Sequence, residues 1–293
     1  MLELDGVTKV YTTGTFGSTT LLAVSNVSFS IGRGEVVSLI GESGSGKSTV
    51  GKMILRLTDA TDGRISVDGQ DVSTLRGRQL RAYYSNVQGV FQDPFSSYNP
   101  VFKADRVFEM IRGNYLHHLT RSEWTTRQRE ALEAVGLEST DVLGKYPHQL
   151  SGGQLQRVLI ARALLLDISY LVADEIISML DASTRIDVLN LLGGLKERGL
   201  GILFVTHDLS LGNYISDRTV ILRRGVVVEM GATQKVFGHP LHPYTKMLLS
   251  SVPQLHDKWR DLGGPGEALA EIERPPSPDA TLVEVEDDHL VLT

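Results

Sequence analysis

The chain has 293 residues, 41% of them hydrophobic, with 29 Gly and 10 Pro, a globular composition with room for one large α/β domain or two lobes. It contains no cysteine, which excludes disulfides, thiol catalysis and cysteine-ligated zinc or iron–sulfur sites. The net charge of −6 is uneven: from Gly264 onward eight acidic residues face Arg274 alone, and the remainder holds 28 basic against 27 acidic residues, so no basic field points to nucleic acid.

In chain order, VTKVYTTGTFGSTTLLAVSNVSFSI (7–31) is rich in Thr, Val and Ser and predicts antiparallel strands. GEVVSLIGESGSGKSTVGKMIL (34–55) reads as a buried strand, a Gly/Ser loop and a helix. RVFEMIRGNYLHHL (106–119) and SEWTTRQREALEAVGL (122–137) show helical spacing without alternation, which places a helical lobe there. His117 and His118, adjacent on a helix, would point to different faces and are read as solvated surface. SYLVADEIIS (169–178) is an apolar strand ending in acids, LGILFVTHDLS (200–210) another ending at His207, and RTVILRRGVVVEMG (218–231) a hairpin turning at Arg224-Gly225. GGPGEALAEIERPPSPDA (263–280) reads as a linker, and TLVEVEDDHLVL (281–292) as a final strand. Apolar strands followed by helices imply a mostly parallel sheet covered on both faces. The opening MLELDGVTKVY shows no secretory signal. No apolar run approaches the roughly 20 residues of a membrane span, so a soluble protein is expected.

GESGSGKST (41–49) fits the pattern G-x-x-x-x-G-K-[ST]. Glycines let the backbone curl round phosphate oxygens, Lys47 reaches the β- and γ-phosphates, Ser48 supplies a hydroxyl to Mg²⁺, and the following helix points its positive end at the anion. A nucleoside triphosphate is the expected ligand. In a chain with such a loop, Asp174 at a strand tip holds Mg²⁺ through water, and the neighbouring Glu175 can polarise an attacking water. HQLSGGQLQR (148–157) sets a serine and two glycines at what reads as a second helix start, a further candidate for holding an anion.

LSGGQLQR (150–157) resembles the signature motif of ABC-type ATPases, and the family's other motifs stand in order. The resemblance covers about residues 2–253. It implies a P-loop NTPase fold with a mostly parallel core sheet, an antiparallel β subdomain, a helical subdomain at about 100–160 and a C-terminal extension, with an ATPase domain at 1–238 and the extension at 239–293. It implies that Tyr11 stacks on adenine, that Gly41, Glu42, Ser43, Gly44, Ser45, Gly46, Lys47, Ser48 and Thr49 cradle the phosphates of ATP, and that Ser48, Gln92 and Asp174 hold Mg²⁺. Gln92 in VFQDP matches the Q-loop glutamine, Asp181 the D-loop aspartate and His207 in VTHD the switch histidine; with Lys47 and Glu175, Gln92 and His207 form the catalytic set. Two such domains face each other head to tail, so that Ser151, Gly152, Gly153 and Gln154 serve the ATP held by the partner.

One departure concerns IISMLD (176–181). The family usually continues its acids with Pro-Thr-Ser-Ala-Leu-Asp, and here Ile176, Ile177 and Met179 replace Pro, Thr and Ala. FQDPFSSYNP (91–100) and HPLHPYTKMLLSSVP (239–253) resemble the oligopeptide, dipeptide and nickel importer branch. Many members of that branch carry a cysteine cluster that this chain lacks, so no iron–sulfur cluster carries over. The resemblance implies an ATP-hydrolysing subunit at the cytoplasmic face of a membrane importer, working with a second ABC ATPase, two transmembrane permease subunits and, through the complex, an extracytoplasmic solute-binding protein. Oligopeptides or dipeptides are the expected cargo, with nickel and oligosaccharides as alternatives. A catalytically weak subunit of an asymmetric heterodimer is the rival kept open by IISMLD, and a soluble ABC ATPase acting on DNA or ribosomes is disfavoured by the single module and neutral core.

Overall fold

The computed structural model describes residues 1–13, 19–251 and 280–293, with Thr13 described in its backbone alone. The chain divides into two compact units: Met1–Ile31, Glu35–Ser73 and Phe204–Thr293 form the first, Gly32–Gly34 and Thr74–Leu203 the second.

The first unit opens with β1 (Leu2–Thr13) and β2 (Thr19–Ile31), then β3 (Val36–Ile40), α1 (Lys47–Ile54), β4 (Asp62–Val67) and β5 (Gln70–Asp71). The Thr/Val-rich front pairs antiparallel as expected, from Leu2↔Ile31 to Thr13↔Thr19, in a four-stranded sheet of order β2-β1-β4-β5. All five residues of β3 are buried, which is why its sequence runs apolar without alternation.

The second unit carries α2 (Gly77–Asn86), β6 (Val87–Val90), α3 (Arg106–Tyr115), α4 (Arg121–Glu133), α5 (Ser139–Val142), α6 (Gly152–Leu164), β7 (Tyr170–Asp174) and α7 (Ala182–Glu197). β6 and β7 pair in parallel from Val87↔Tyr170 to Val90↔Ala173. The helical lobe forms as predicted. Thr120 and Glu123 close a reciprocal capping box at the start of α4, and the Trp124 indole donates to Glu109 at 3.0 Å. His117 and His118 are exposed, but they lie in the turn between α3 and α4 and not on a helix. β8 (Gly201–Thr206) is buried along its length and is shared, its first three residues belonging to the second unit and its last three to the first.

Back in the first unit follow α8 (Leu209–Ile215), β9 (Arg218–Arg223), β10 (Val226–Ala232), α9 (Thr233–Gly238), α10 (Pro243–Ser250), β11 (Leu282–Glu286) and β12 (His289–Leu292). β3 pairs in parallel with β9. The predicted hairpin is β9–β10, with Val226 opposite Arg223 and both turn residues left-handed, Arg224 at φ 46° and Gly225 at φ 84°, as a tight two-residue turn of primed type requires. The C-terminal stretch is not one strand but a second hairpin, β11–β12, turning at Asp287-Asp288 and pairing through β12 with β10. α10 packs on a buried cluster of Ile40, Leu209, Ile221, Val228, Val236 and its own Tyr244. Val252 and Pro253 of the extension, and the expected linker as far as residue 279, lie outside the described residues. Among the described residues no helix is long and apolar enough to cross a membrane.

Candidate functional site

Residues 41–46 leave the C-terminal end of β3 and enter α1. A Cβ on Gly41 would lie 2.1 Å from the Leu222 carbonyl oxygen, and one on Gly46 would lie 2.4 Å from that of Ala23. Gly46 also has φ 104°, so both positions admit only glycine. The Gly225 amide donates to the Ser45 carbonyl at 2.8 Å, which rests the loop on the β9–β10 turn. The Lys47 ammonium is buried and donates to the carbonyls of Gly41 (2.7 Å) and Glu42 (2.8 Å). Glu42, Ser43 and Gly44 are exposed, Ser48 and Thr49 half-buried. α1 opens at Gly46, which brings no side chain to cap it, and a helix start of that kind suits an anion. Tyr11 is half-buried on β1 opposite Leu21, with the Lys9 ammonium 5.0 Å from its ring centroid. β2 thus carries both the partner of Tyr11 and, two residues on, the Ala23 carbonyl beneath Gly46. His207 is exposed just past β8, and Asp208 caps α8 by accepting from Ser210 (2.9 Å) and Leu211 (3.3 Å).

In the second unit Asp174 ends β7, buried, and Glu175 turns the chain out of the strand at φ 51°, a left-handed backbone that costs a non-glycine residue energy and is concentrated at functional sites. Ile176 and Ile177 are buried and Met179 is exposed. Two of the three replacements, Ile176 and Ile177, therefore put apolar side chains at buried positions, whereas Met179 presents one at the surface. The turn is held closed: Ser178 donates to the Glu175 carbonyl from its amide (3.1 Å) and its hydroxyl (2.9 Å). Arg185 donates to the carbonyls of Leu180 (2.8 Å) and Ser178 (3.1 Å). Asp181 caps α7. The Ser183 hydroxyl, then the Thr184 amide and hydroxyl, hold its carboxyl well below the usual carboxylate range. Gln92 lies exposed beyond β6, in a loop pinned by Asp93, which accepts from the Phe95 amide at 2.9 Å.

The second glycine pair behaves differently from the first. Ser151 is exposed and caps its own helix: its hydroxyl accepts from the Gln154 amide (3.1 Å) while Gln154 Oε1 accepts from the Ser151 amide (2.9 Å). Gly153 is needed because a Cβ there would lie 2.5 Å from Thr184 Cγ2. The loop at residues 151–154 and the D-loop cap at Asp181 are thus brought together through Thr184. Sequence reasoning missed this capping box, though S-x-x-Q was there to read; it also missed Arg185 and Thr184, for which no local signal exists.

Among the described residues no three His, Cys, Asp or Glu side chains gather as a metal cage. The hydroxyl of Ser48 and carboxylate of Asp174 are hard oxygen donors of the kind Mg²⁺ takes when it shares its coordination with phosphate oxygens. A loop with no space for a Cβ at its two ends, opening an uncapped helix, fits the phosphates of a nucleotide.

The sequence matches the ABC transporter family over residues 24–178, more than half of the chain, and the chain belongs to that family of ATPases. Residues 228–277 match the oligopeptide/dipeptide transporter C-terminal region, which sets the chain in that branch. It is 44% identical over 255 residues, 86% of this chain and 78% of the relative, to a protein of Brucella ovis provisionally named a peptide import ATP-binding protein. It is 41% identical over 257 residues (87% and 82%) to the oligopeptide transport ATP-binding protein OppF of Streptococcus mutans, and 46% identical over 235 residues (79% and 75%) to the dipeptide transport ATP-binding protein DppF of Lactococcus lactis. Among solved structures it is similar to a dimeric ATP-binding cassette in a post-hydrolysis state bound to ADP and Pi, at TM-score 0.70 and 32% identity, covering 80% of this chain and 99% of that one.

Proposed function

We propose that this ABC ATPase is the energy-coupling subunit of a peptide importer, held at the cytoplasmic face of the membrane by two transmembrane permease subunits and paired with a second cassette, with a solute-binding protein reached through the complex. The cassette would span residues 1–238 and the branch-specific extension residues 239–293. Peptide as cargo rests on the names of the relatives. The ATP reading rests on the uncapped α1 start beneath a loop that excludes a Cβ at Gly41 and Gly46.

Within that reading Tyr11 stacks on adenine and residues 41–49 cradle the phosphates, with Lys47 turning from the loop carbonyls to the β- and γ-oxygens. Ser48, Gln92 and Asp174 hold Mg²⁺, which supplies charge neutralisation on the phosphates when bound. Glu175, presented at a left-handed residue, polarises the attacking water for in-line displacement, and His207 hydrogen-bonds the γ-phosphate. Ser151 to Gln154, exposed or half-buried at the start of α6, complete the partner cassette's site. The turn after Glu175, tied by Ser178 and Arg185, gives that carboxylate a fixed presentation, which supports an active site over a catalytically weak one.

The test is ATP turnover and labelled-peptide uptake by the reconstituted importer, for wild type and Glu175→Gln. The variant keeps the size of the side chain but loses the base, so turnover should fall about 10²–10⁴-fold while nucleotide stays bound in a closed dimer. Hydrolysis by the variant at the native rate would falsify the role of Glu175, and uptake of nickel or oligosaccharide in place of peptide would overturn the cargo.

A further inference from the structure

We propose that Tyr244, in the C-terminal extension, positions the phosphate loop, so that the extension sets how tightly the loop holds nucleotide. The proposal rests on the reading that residues 41–49 bind ATP. The Glu42 amide donates to the Tyr244 hydroxyl oxygen at 3.2 Å, a contact between residues 202 positions apart in the chain. The Glu42 carbonyl accepts from the Lys47 ammonium at 2.8 Å. Glu42 is thus held on both sides, by the lysine expected to move to phosphate and by a side chain outside the loop.

Tyr244 is itself rigidly placed. Its ring is 1% exposed, in the cluster that includes Ile40, the last residue of β3 before the loop. The Arg223 guanidinium lies 5.2 Å from its centroid. Two residues earlier, His242 caps α10 by accepting from the Tyr244 amide at 3.1 Å. The fully buried Glu229 carboxylate accepts from the amides of Leu241 (2.8 Å) and His242 (3.0 Å). Burial pushes the phenol above the usual tyrosine value, so its contact with the Glu42 amide is one between neutral groups. A glycine-rich loop loses much conformational freedom when it closes on phosphate. An acceptor fixed from outside removes part of that freedom beforehand, which raises affinity without touching the chemical step.

Tyr244→Phe is the test, because it keeps the ring, the cluster and the guanidinium contact and deletes only the oxygen. In the full chain the Kd for MgATP should rise about five-fold, the worth of one neutral hydrogen bond. The Glu42 amide should exchange with solvent faster while the β3 amides keep their protection. In the assembled importer the KM for ATP should rise by a similar factor with kcat within about two-fold, a split that packing loss would not produce. Wild-type Kd and wild-type Glu42 exchange in the variant would overturn the proposal, as would a lowered kcat and melting temperature with KM unchanged. Lys47→Ala separates the two readings. If that variant binds MgATP as wild type does, the phosphate-loop reading fails and this inference with it. If wild type binds, Lys47→Ala does not, and Tyr244→Phe binds at wild-type strength, only the inference fails.

Discussion

Adding one methyl at Gly153 should destabilise the protein, and removing one at Thr184 should reverse the sign. The new Cβ would sit 2.5 Å from Thr184 Cγ2 and 3.7 Å from Thr184 Cβ and Oγ1, against the roughly 3.5–4.0 Å of a comfortable carbon–carbon contact. Thr184 cannot swing its methyl away freely. Its hydroxyl donates to Asp181 at 2.7 Å and its amide to the same carboxylate at 3.0 Å, so a new rotamer gives up the hydroxyl bond. The other route is to part α6 from α7. Overpacking of this kind costs about 1–3 kcal/mol, and alanine in place of glycine in a helix returns up to about 1 kcal/mol. After the full return the net loss centres on about 1 kcal/mol, a fall in melting temperature of about 2–4 °C. In the Thr184→Ser background the methyl is gone and the hydroxyl stays. There Gly153→Ala should be neutral or stabilising by the propensity gain alone. The assay is a thermal melt of wild type, both single variants and the double variant. Turnover by the assembled complex follows beside it, since the displaced Thr184 carries the Asp181 cap with it. A Gly153→Ala protein that melts with wild type, or one that Thr184→Ser does not rescue, refutes the close contact.

Lys47→Ala should abolish MgATP binding by the full chain. Because its ammonium also ties the Gly41 and Glu42 carbonyls, amide exchange in residues 41–46 should rise while the far-ultraviolet circular dichroism stays native; undiminished binding would sink the assignment. Ser151→Arg should leave nucleotide binding by the lone chain intact, lower the melting temperature slightly through loss of a cap worth about 1 kcal/mol, and stop turnover at the site built on the partner's phosphate loop. Loss of binding in the lone chain would mean that residues 151–154 act on the chain's own nucleotide.

What could be read from the sequence was local. The strand–loop–helix at residues 34–55, the acids at the end of β7 and the hairpin at Arg224-Gly225 each follow from spacings within one element. Glycines at fixed offsets and uninterrupted apolar runs encode them directly. The C-terminal stretch was read as one strand because EVEDDHLV contains neither Gly nor Pro. Its turn instead uses Asp288 at φ 49°, a conformation that Asp tolerates better than most residues. The histidine pair was placed on a helix because the spacing was carried on to Leu119; the helix instead ends at Tyr115, just past Gly113-Asn114, a stop signal that went unread. At residues 148–157 the glycines drew attention to anion binding while the reciprocal Ser151–Gln154 cap went unread. The ties from Arg185 to the Ser178 carbonyl and from Tyr244 to the Glu42 amide join elements through backbone groups, which every residue carries, so residue identity alone does not point to them.

Glu229 gathers two separated parts of the extension on one carboxylate. It accepts from the Leu241 and His242 amides ahead of α10 and pairs with His289 Nε2 at 2.8 Å in β12, both side chains fully buried. The flanks of residues 252–279 are therefore fastened independently of whatever joins them. A protease cut anywhere in that stretch should leave a nicked chain whose C-terminal hairpin stays attached through native purification and separates only on denaturation.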